Sequence, residues 1–409
     1  MSGLFSNPHL WADMDAWHAS VAELRRNHRS ILVEDDGIVP YRVLLHHQDV
    51  FDVSRDSERF VNTQRAVLGP DKEWDEAVAS GMPLPSSLVQ LDGQKHRDHR
   101  KVTNDWFKPA AVGARQPRID ELARMFVDRM KELGGECDFA EDIAKPYTLR
   151  VIMDIYGVPE EDEPLMMELT QGIFGSADPE YIGDAADANA RAMASIMQFI
   201  QYFNNITEDR RACPRDDLAT VIANGEVNGC PMGDVERLWY YIIVATAGHD
   251  TTSYALAGGF QALMRDPSQL AALQADPSLV NNATDEIIRW TTPVRHFLRW
   301  ATADCSVGGA ELKAGEPVLL SYPSANRDEE VFADSMTFDI KRADADKLLS
   351  FGVGAHFCLG AQFARREIRT FLSTVLPELE SIEPTGEAQW AESHFVSGVK
   401  HLPVRYRFR

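Results

Sequence analysis

Residues 351–360 read FGVGAHFCLG. One cysteine, Cys358, stands among three glycines, two phenylalanines and a histidine. The five cysteines, Cys137, Cys213, Cys230, Cys305 and Cys358, are odd in number, scattered, and form no CxxC pair, so a zinc ribbon and a disulfide framework are poor readings. Filling a core is the commoner fate of a free cysteine. Core filling, however, does not call for Gly352, Gly354 and Gly360 around it. Glycines let backbone N–H groups turn toward a sulfur and let a flat object come close. A thiolate needs such donors, because burying its charge bare is costly. A lone cysteine cannot hold zinc or an iron–sulfur cluster; it can be the single axial ligand of a haem iron.

A second stretch places polar groups where they are expensive. LWYYIIVATA, 238–247, is apolar or small on every side and reads as a helix buried all round. Gly248-His249-Asp250-Thr251-Thr252 interrupts it before the apolar pattern resumes at Tyr254. Thr251 can bond back to the carbonyl of Ala247, four residues earlier, and locally open the helix. The alternative is a helix that surfaces at His249. Glu286 and Arg289, three apart, share a helix face, a spacing that alone marks a surface ion pair as often as anything else.

The decapeptide matches F-G-x-G-x-H-x-C-x-G, the cysteine-loop signature of the cytochrome P-450 family, at every fixed position, and the chain resembles that family over roughly residues 30–409. The other landmarks stand in the family's order. Ala247-Gly248-His249-Asp250-Thr251-Thr252 is similar to the oxygen-binding groove, and Glu286-Ile287-Ile288-Arg289 to the E-x-x-R of a buried triad. The stretch Phe338-Asp339-Ile340-Lys341-Arg342 is similar to the segment supplying its third member, Arg342. His96-Arg97-Asp98-His99-Arg100 is similar to the H-x-x-x-R of a helix on the proximal side of the haem. Leu348 departs from many bacterial relatives, which carry histidine there.

The resemblance implies a mainly α fold with small β-sheets, the haem lying between the long central helix and the helix after the cysteine loop. It implies haem b, with Cys358 on the iron and His96, Arg100, Arg299 and His356 on the two propionates, which guanidinium forks suit. Phe351 would lie near the thiolate, and Gly360, Ala247 and Gly248 would line the cofactor. Glu286, Arg289 and Arg342 would hold the cysteine loop. The activity implied is hydroxylation of an unactivated C–H with O2, in which Thr251 donates a hydrogen bond and steadies a water while Asp250 relays protons from solvent. Electrons would come from a separate ferredoxin and ferredoxin reductase, since the chain ends at Arg409 with no redox domain appended. Two basic runs, 94–101 and 365–369, would form the docking patch against a net charge of −22. Ordinary solvated helix faces are the plain alternative.

Family pocket positions fall on Ile243, Thr246, Val294, Phe297, Phe395 and Val396, apolar but for Thr246. Only Arg295, if it faced inward, could meet a carboxylate, so a compact neutral hydrocarbon-like substrate is expected. SSLVQLDGQKHRDHRKVTNDWF and ESHFVSGVKHLPVRY resemble the subgroup that hydroxylates monoterpenoids such as α-terpineol and p-cymene. The competing readings are a steroid or fatty-acyl hydroxylase and, from another class, a haem-based sensor that never turns over; the Asp250-Thr251 pair argues against the sensor. A peroxide-driven variant would depart at that same pair.

These residues need a scaffold. Helical period or composition covers 117–134, 138–156, 160–173, 186–207, 234–265, 268–275, 279–290 and 360–376. Hairpins are expected at 31–44, around Asp-Asp-Gly, and within 305–321, turning at Gly308-Gly309 and Lys313-Ala314-Gly315. Residues 62–88 and 174–190 are expected to roof the pocket, flexing at Gly81, Pro83, Pro85, Gly175 and Gly183. With 409 residues, 44% hydrophobic, no repeat and no long linker, residues 1–409 read as one domain. The acidic balance argues against nucleic acid. No secretory signal and no apolar run of about 18 residues is present, so a cytoplasmic chain with no membrane span, acting as a monomer, is expected.

Overall fold

The computed structural model describes residues 3–81, 84–174, 178–182 and 185–409. Helices dominate, and a five-stranded sheet flanks them. The central helix, Asp234–Arg265, runs 32 residues without a break. It packs on Lys145–Tyr156, on Val280–Thr291 and on the helix that follows the cysteine loop, Ala361–Val375. Their facing side chains, among them Ile152, Phe260, Ile287 and Phe371, form the largest core. Gly258 and Gly259 let this packing close: a Cβ at either would lie under 3.0 Å from Thr291 or Ile287.

The expected helices are present with shifted ends. The one expected over 138–156 starts later: Glu136–Asp138 is a strand paired with Pro403–Phe408, and Phe139–Ala144 is a π-helical turn before Lys145–Tyr156. Backbone pairing to the C-terminal strand outcompetes helix propensity at Asp138. The hairpin at 31–44 pairs Ile31 with Val43. The one within 305–321 is shorter than expected. Cys305–Val307 pairs with Ala310–Leu312 across Gly308 and Gly309, both at positive φ. Pro317–Ser321 leaves it and joins the main sheet, between Tyr41–Leu44 and His296–Ala301. Burial explains the departure: all five residues of Pro317–Ser321 are buried, as a central strand demands.

Among the described residues no helix is long and apolar enough to cross a membrane.

Candidate active site

The cysteine loop is a tight series of turns. Gly352 and Gly354 adopt φ of 63° and 75°, where a side chain is strained. Gly354 also seats the loop on its neighbour: a Cβ there would stand 2.8 Å from the Ser54 carbonyl oxygen and 2.9 Å from Arg55 Cα. The Cys358 N–H donates to the Phe351 carbonyl at 2.8 Å. The backbone N–H groups of Gly360 and Ala361, at the start of Ala361–Val375, bond the sulfur, and Arg100 and Arg365 face it; all four favour the thiolate. Burial outweighs them and raises the thiol's pKa. Yet the Cys358 side chain has accessible surface. A sulfur surrounded by protein but still accessible forms part of a cavity wall.

Ala247 is another such place. It is exposed, whereas Val244, Ala245, Thr246, His249 and Asp250 around it are buried. The helix does not surface at His249, which is wholly enclosed: its Nε2 faces the Lys145 carbonyl at 3.2 Å and its Nδ1 the Thr170 hydroxyl at 3.3 Å. The Thr251 hydroxyl donates to the Ala247 carbonyl at 2.8 Å, as its position predicts, but the helix stays continuous there. Asp250 is buried with Oδ1 3.4 Å from His249 Nδ1. Gly248 has a packing reason, since a Cβ would meet Ile152 at 3.0 Å.

Four cationic or donor side chains gather beside the cysteine loop. His96 and Arg100 come from helix Gly93–Asn104, Arg299 from strand His296–Ala301, and His356 from the loop itself. The His96 and His356 rings lie 4.3 Å apart. Arg100 donates to the Phe357 carbonyl at 2.7 Å. Burial, then His356 and Arg100, push the His96 pKa down to about 4. Burial also lowers His356, opposed by Asp92, with Arg299 and Arg100 repelling its charged form. Among the described residues, His96 Nε2 is buried with no partner and the Arg299 guanidinium donates only to the Leu298 carbonyl. Among the described residues neither Arg100 nor Arg299 has an ion-pair partner. Three such donors left without an anion, with Asp92 meeting only His356, fit a group bearing two carboxylates, and an accessible cysteine beside them fits a metal on the same group. The residues present therefore fit haem. Sequence reasoning missed Asp92, whose carboxylate accepts from the backbone of Asn62 and Thr63, both at 2.8 Å, and approaches His356 at 3.5 Å. Its place three residues before a helical Lys95 gave no sign of this role.

Glu286, Arg289 and Arg342 are all buried. Arg289 grips Glu286 in a fork at 2.6 and 2.7 Å, and Arg342 Nε lies 3.2 Å from the same carboxylate. Arg289 also donates to the Asn326 carbonyl at 2.7 Å. The Asn326 side chain accepts from the Leu349 N–H and donates to the Ser350 hydroxyl, at 2.7 and 2.8 Å. The triad thus reaches the start of the cysteine loop through one asparagine.

Of the pocket candidates, the structure joins four. Val294 bridges Val396, and Phe297 meets Phe395 edge to face at 5.5 Å. Ile243 packs instead at the margin of the large core. Thr246 is buried, and its hydroxyl donates to the Ile242 carbonyl at 2.6 Å. Arg295 does not face a ligand: it lies between Trp11 and Trp390 and donates to the carbonyls of Thr291 and Thr292. Burial without a carboxylate lowers its pKa to about 9.

The expected roof is anchored at its start. Leu68 N–H donates to His296 Nε2 at 3.1 Å, His394 Nε2 donates to the Leu68 carbonyl at 3.0 Å, and Leu298 N–H donates to the Ala66 carbonyl at 2.7 Å. Past it, Asp71–Ala79 is helical and Gly81 sits at positive φ; Pro83, Gly175 and Gly183 lie outside the described residues. Asp178 is tied to Lys400 at 2.8 Å.

The basic runs are less free than their letters suggest. Lys95 pairs with Glu236, Lys101 with Asp98, and Arg365 with Asp285. Glu367, inside the second run, points into the core, where burial raises its pKa. Arg97 and Lys101 remain exposed.

Comparison with known proteins agrees with this geometry. The family model for cytochrome P450 matches residues 4–407. Cytochrome P450-terp of a Pseudomonas species is 38% identical over 98% of this chain and 95% of its own length. A steroid C26-monooxygenase of Mycolicibacterium smegmatis is 34% identical over 88% and 86%. The crystal structure of CYP108D1 from Novosphingobium aromaticivorans superposes with a TM-score of 0.91 at 37% identity, covering 99% of this chain and 98% of that one. CYP268A2 of Mycobacterium marinum, in complex with pseudoionone, does so with a TM-score of 0.89 at 29% identity over 96% and 95%. A glycine-turned cysteine loop, a buried carboxylate between two arginines and a matching family model over nearly the whole length have one account: the chain belongs to the cytochrome P450 family, the haem-thiolate monooxygenases.

Proposed function

We propose that Cys358 ligates the haem iron, that His96, Arg100, Arg299 and His356 hold the propionates, and that the substrate is a small neutral terpenoid or alkylaromatic. The carrying observation is the accessible Cys358 side chain beside His96, Arg100 and Arg299, none of which has a carboxylate partner among the described residues. Bound haem supplies the reductive activation of O2 and the insertion of one oxygen atom into a C–H bond. The chain's own residues do the rest. Gly360 and Ala361 N–H groups stabilise the sulfur's negative charge. Phe351, stacked under the Arg365 guanidinium at 4.6 Å, shields it from water. Ala247 leaves room for the cofactor's face, and Gly248 beside it lets the helix sit close on Ile152. Thr251 exchanges its bond to the Ala247 carbonyl for one to a water, and Asp250, next along the helix, moves protons inward from solvent. Glu286, Arg289 and Arg342 keep the cysteine loop in register through Asn326.

Ile243, Thr246, Val294, Phe297, Phe395 and Val396 form the substrate's surroundings. Their lack of charge, with Arg295 turned away, supports a hydrocarbon-like substrate over a fatty acid. The similarity to P450-terp and to a pseudoionone-binding relative supports the terpenoid reading; the steroid C26-monooxygenases supply the second reading. Electrons come from a ferredoxin docked on the face bearing Arg97 and Lys101, and the chain works as one cytoplasmic domain and as a monomer.

The test is a Soret titration of the ferric protein with α-terpineol, p-cymene, linalool, a steroid and a fatty acid, followed by turnover with ferredoxin, reductase and NADH. A saturable high-spin shift and a hydroxylated product with a monoterpenoid support the reading. A shift with the steroid or fatty acid alone removes the terpenoid assignment. Ligand binding without product removes the catalytic one.

A further inference from the structure

His46 lies between strand Tyr41–Leu44 and helix His47–Arg55, facing the loop that follows helix Tyr322–Ala325. Its Nδ1 is 3.2 Å from Asp328 Oδ2 and 3.8 Å from Glu330 Oε2, and the three atoms lie within 4.8 Å of one another. The His46 side chain is only 9% exposed. Its other nitrogen, Nε2, faces the Arg25 carbonyl at 3.0 Å. A carbonyl only accepts, so Nε2 carries a proton; Asp328 holds the ring's pKa up, so a cation bound at Nδ1 would take the place of the proton that the two carboxylates favour there.

That arrangement is a poor hydrogen bond. Despite the 3.2 Å separation, Nδ1 makes none, because Asp328 Oδ2 lies off its axis. Off-axis approach is what two ligands of one cation show. With bonds of about 2.0–2.1 Å and tetrahedral angles, neighbouring ligand atoms stand about 3.3 Å apart. We infer that His46 Nδ1, Asp328 Oδ2 and Glu330 Oε2 form a binding site for a divalent cation of the zinc class, completed by water.

The surroundings bear on this directly. Asp328 is already placed: Oδ2 accepts from the His47 N–H at 2.7 Å and Oδ1 from the Glu330 N–H at 3.1 Å. Arg29 is the competitor, 3.5 Å from Glu330 and 3.0 Å from Asp49. Arg25 is taken by Glu329 at 2.8 Å, and the His47 ring faces the Lys347 carbonyl. The overall charge of −22 favours a divalent cation over a further anion. A cation here would fasten helix His47–Arg55, the seat of Gly354, to the loop that carries Asn326. Its role is structural, away from the chemistry.

The experiment uses the haem-loaded enzyme, stripped with a chelator and titrated with zinc chloride by calorimetry and thermal unfolding. Wild type is expected to bind one zinc and to unfold at a higher temperature. H46Q and E330Q are expected to bind that zinc at least about tenfold more weakly, while R29Q, which frees Glu330, binds it more tightly. Zinc-edge absorption is expected to show one imidazole nitrogen and carboxylate oxygens. Equal binding by wild type, H46Q and E330Q, no binding by any, or a sulfur shell contributed by exposed Cys213 or Cys230 overturns the site.

Discussion

His96 and His356 lie with their ring centroids 4.3 Å apart and their planes tilted by 39°, one on a helix and one in the cysteine loop, and His356 opposes a charge on His96. The sign of the consequence follows from the direction of the shift. His96 titrates at about 4 in the folded haem-free protein and near 6.5 when unfolded. Its contribution is therefore intact above pH 6.5 and is lost as pH falls toward 4, because the unfolded chain takes up the proton first. The loss is at most about 3 kcal/mol. Haem-free protein should lose stability over that window more steeply than haem-loaded protein, whose propionates welcome the charge. Denaturant midpoints across pH check this, and H96Q should flatten the haem-free curve.

Thr251 gives up nothing structural beyond one bond to its own helix. Thr251→Ala should fold and bind substrate normally, yet yield roughly 10²-fold less product per NADH oxidised. Thr251→Ser should recover most of it. Product quantified against NADH consumed reads the result; unchanged coupling in the alanine variant would remove Thr251 from proton delivery.

Glu286→Ala leaves Arg289 and Arg342 buried without their carboxylate. The expected cost is about 3–5 kcal/mol, seen as poor haem retention and a shifted Soret band in the ferrous carbonyl complex. Arg289→Lys should behave similarly, since an ammonium cannot reproduce the fork. A stable, fully loaded Glu286→Ala protein would show that Asn326 holds the loop unaided.

Gly354→Ala places a methyl against the Ser54 carbonyl at positive φ. Left-handed backbone alone costs an alanine about 1–2 kcal/mol, and the close contact adds to it. Faster haem loss to an acceptor globin is the expected readout, with the far-UV spectrum unchanged.

His394→Ala cuts the bond that holds Leu68. Amide exchange should quicken near residues 66–70 and remain unchanged in the cysteine loop, and substrate should dissociate faster. Equal exchange in both proteins would mean that His296, kept neutral by burial with its pKa near 3, and the Leu298–Ala66 backbone bond hold the roof without His394.

The cysteine loop was legible because its glycines are demanded locally: two of them sit at positive φ and Gly354 has no room for a side chain. The Glu286–Arg289 pair was legible as a spacing, and its burial with Arg342 only through the family resemblance, because burial depends on Arg342 and on carbonyls from 326 to 337. The hold of His296 and His394 on Leu68 left no trace in the sequence, since it runs through backbone atoms that every residue shares. The run at 365–369 shows the opposite limit. Letters show charge, but helical phase turns Glu367 inward and Asp285 takes Arg365. The π-turn at 139–144 likewise hid inside a helical pattern, its start decided by a strand at the far end of the chain.

That far end returns at Arg295. Trp11 and Trp390 flank its guanidinium from opposite termini, and Trp11 stacks on Trp17 at 4.3 Å. Trp11 therefore waits for Trp390, a partner made far later along the chain. Until Trp390 is made, helix Met14–Asn27 has an oily face and nowhere complete to put it. Closure of this sandwich waits until Trp390 is made, and a protease cutting near Trp11 should tell a chain that has reached Trp390 from one that has not.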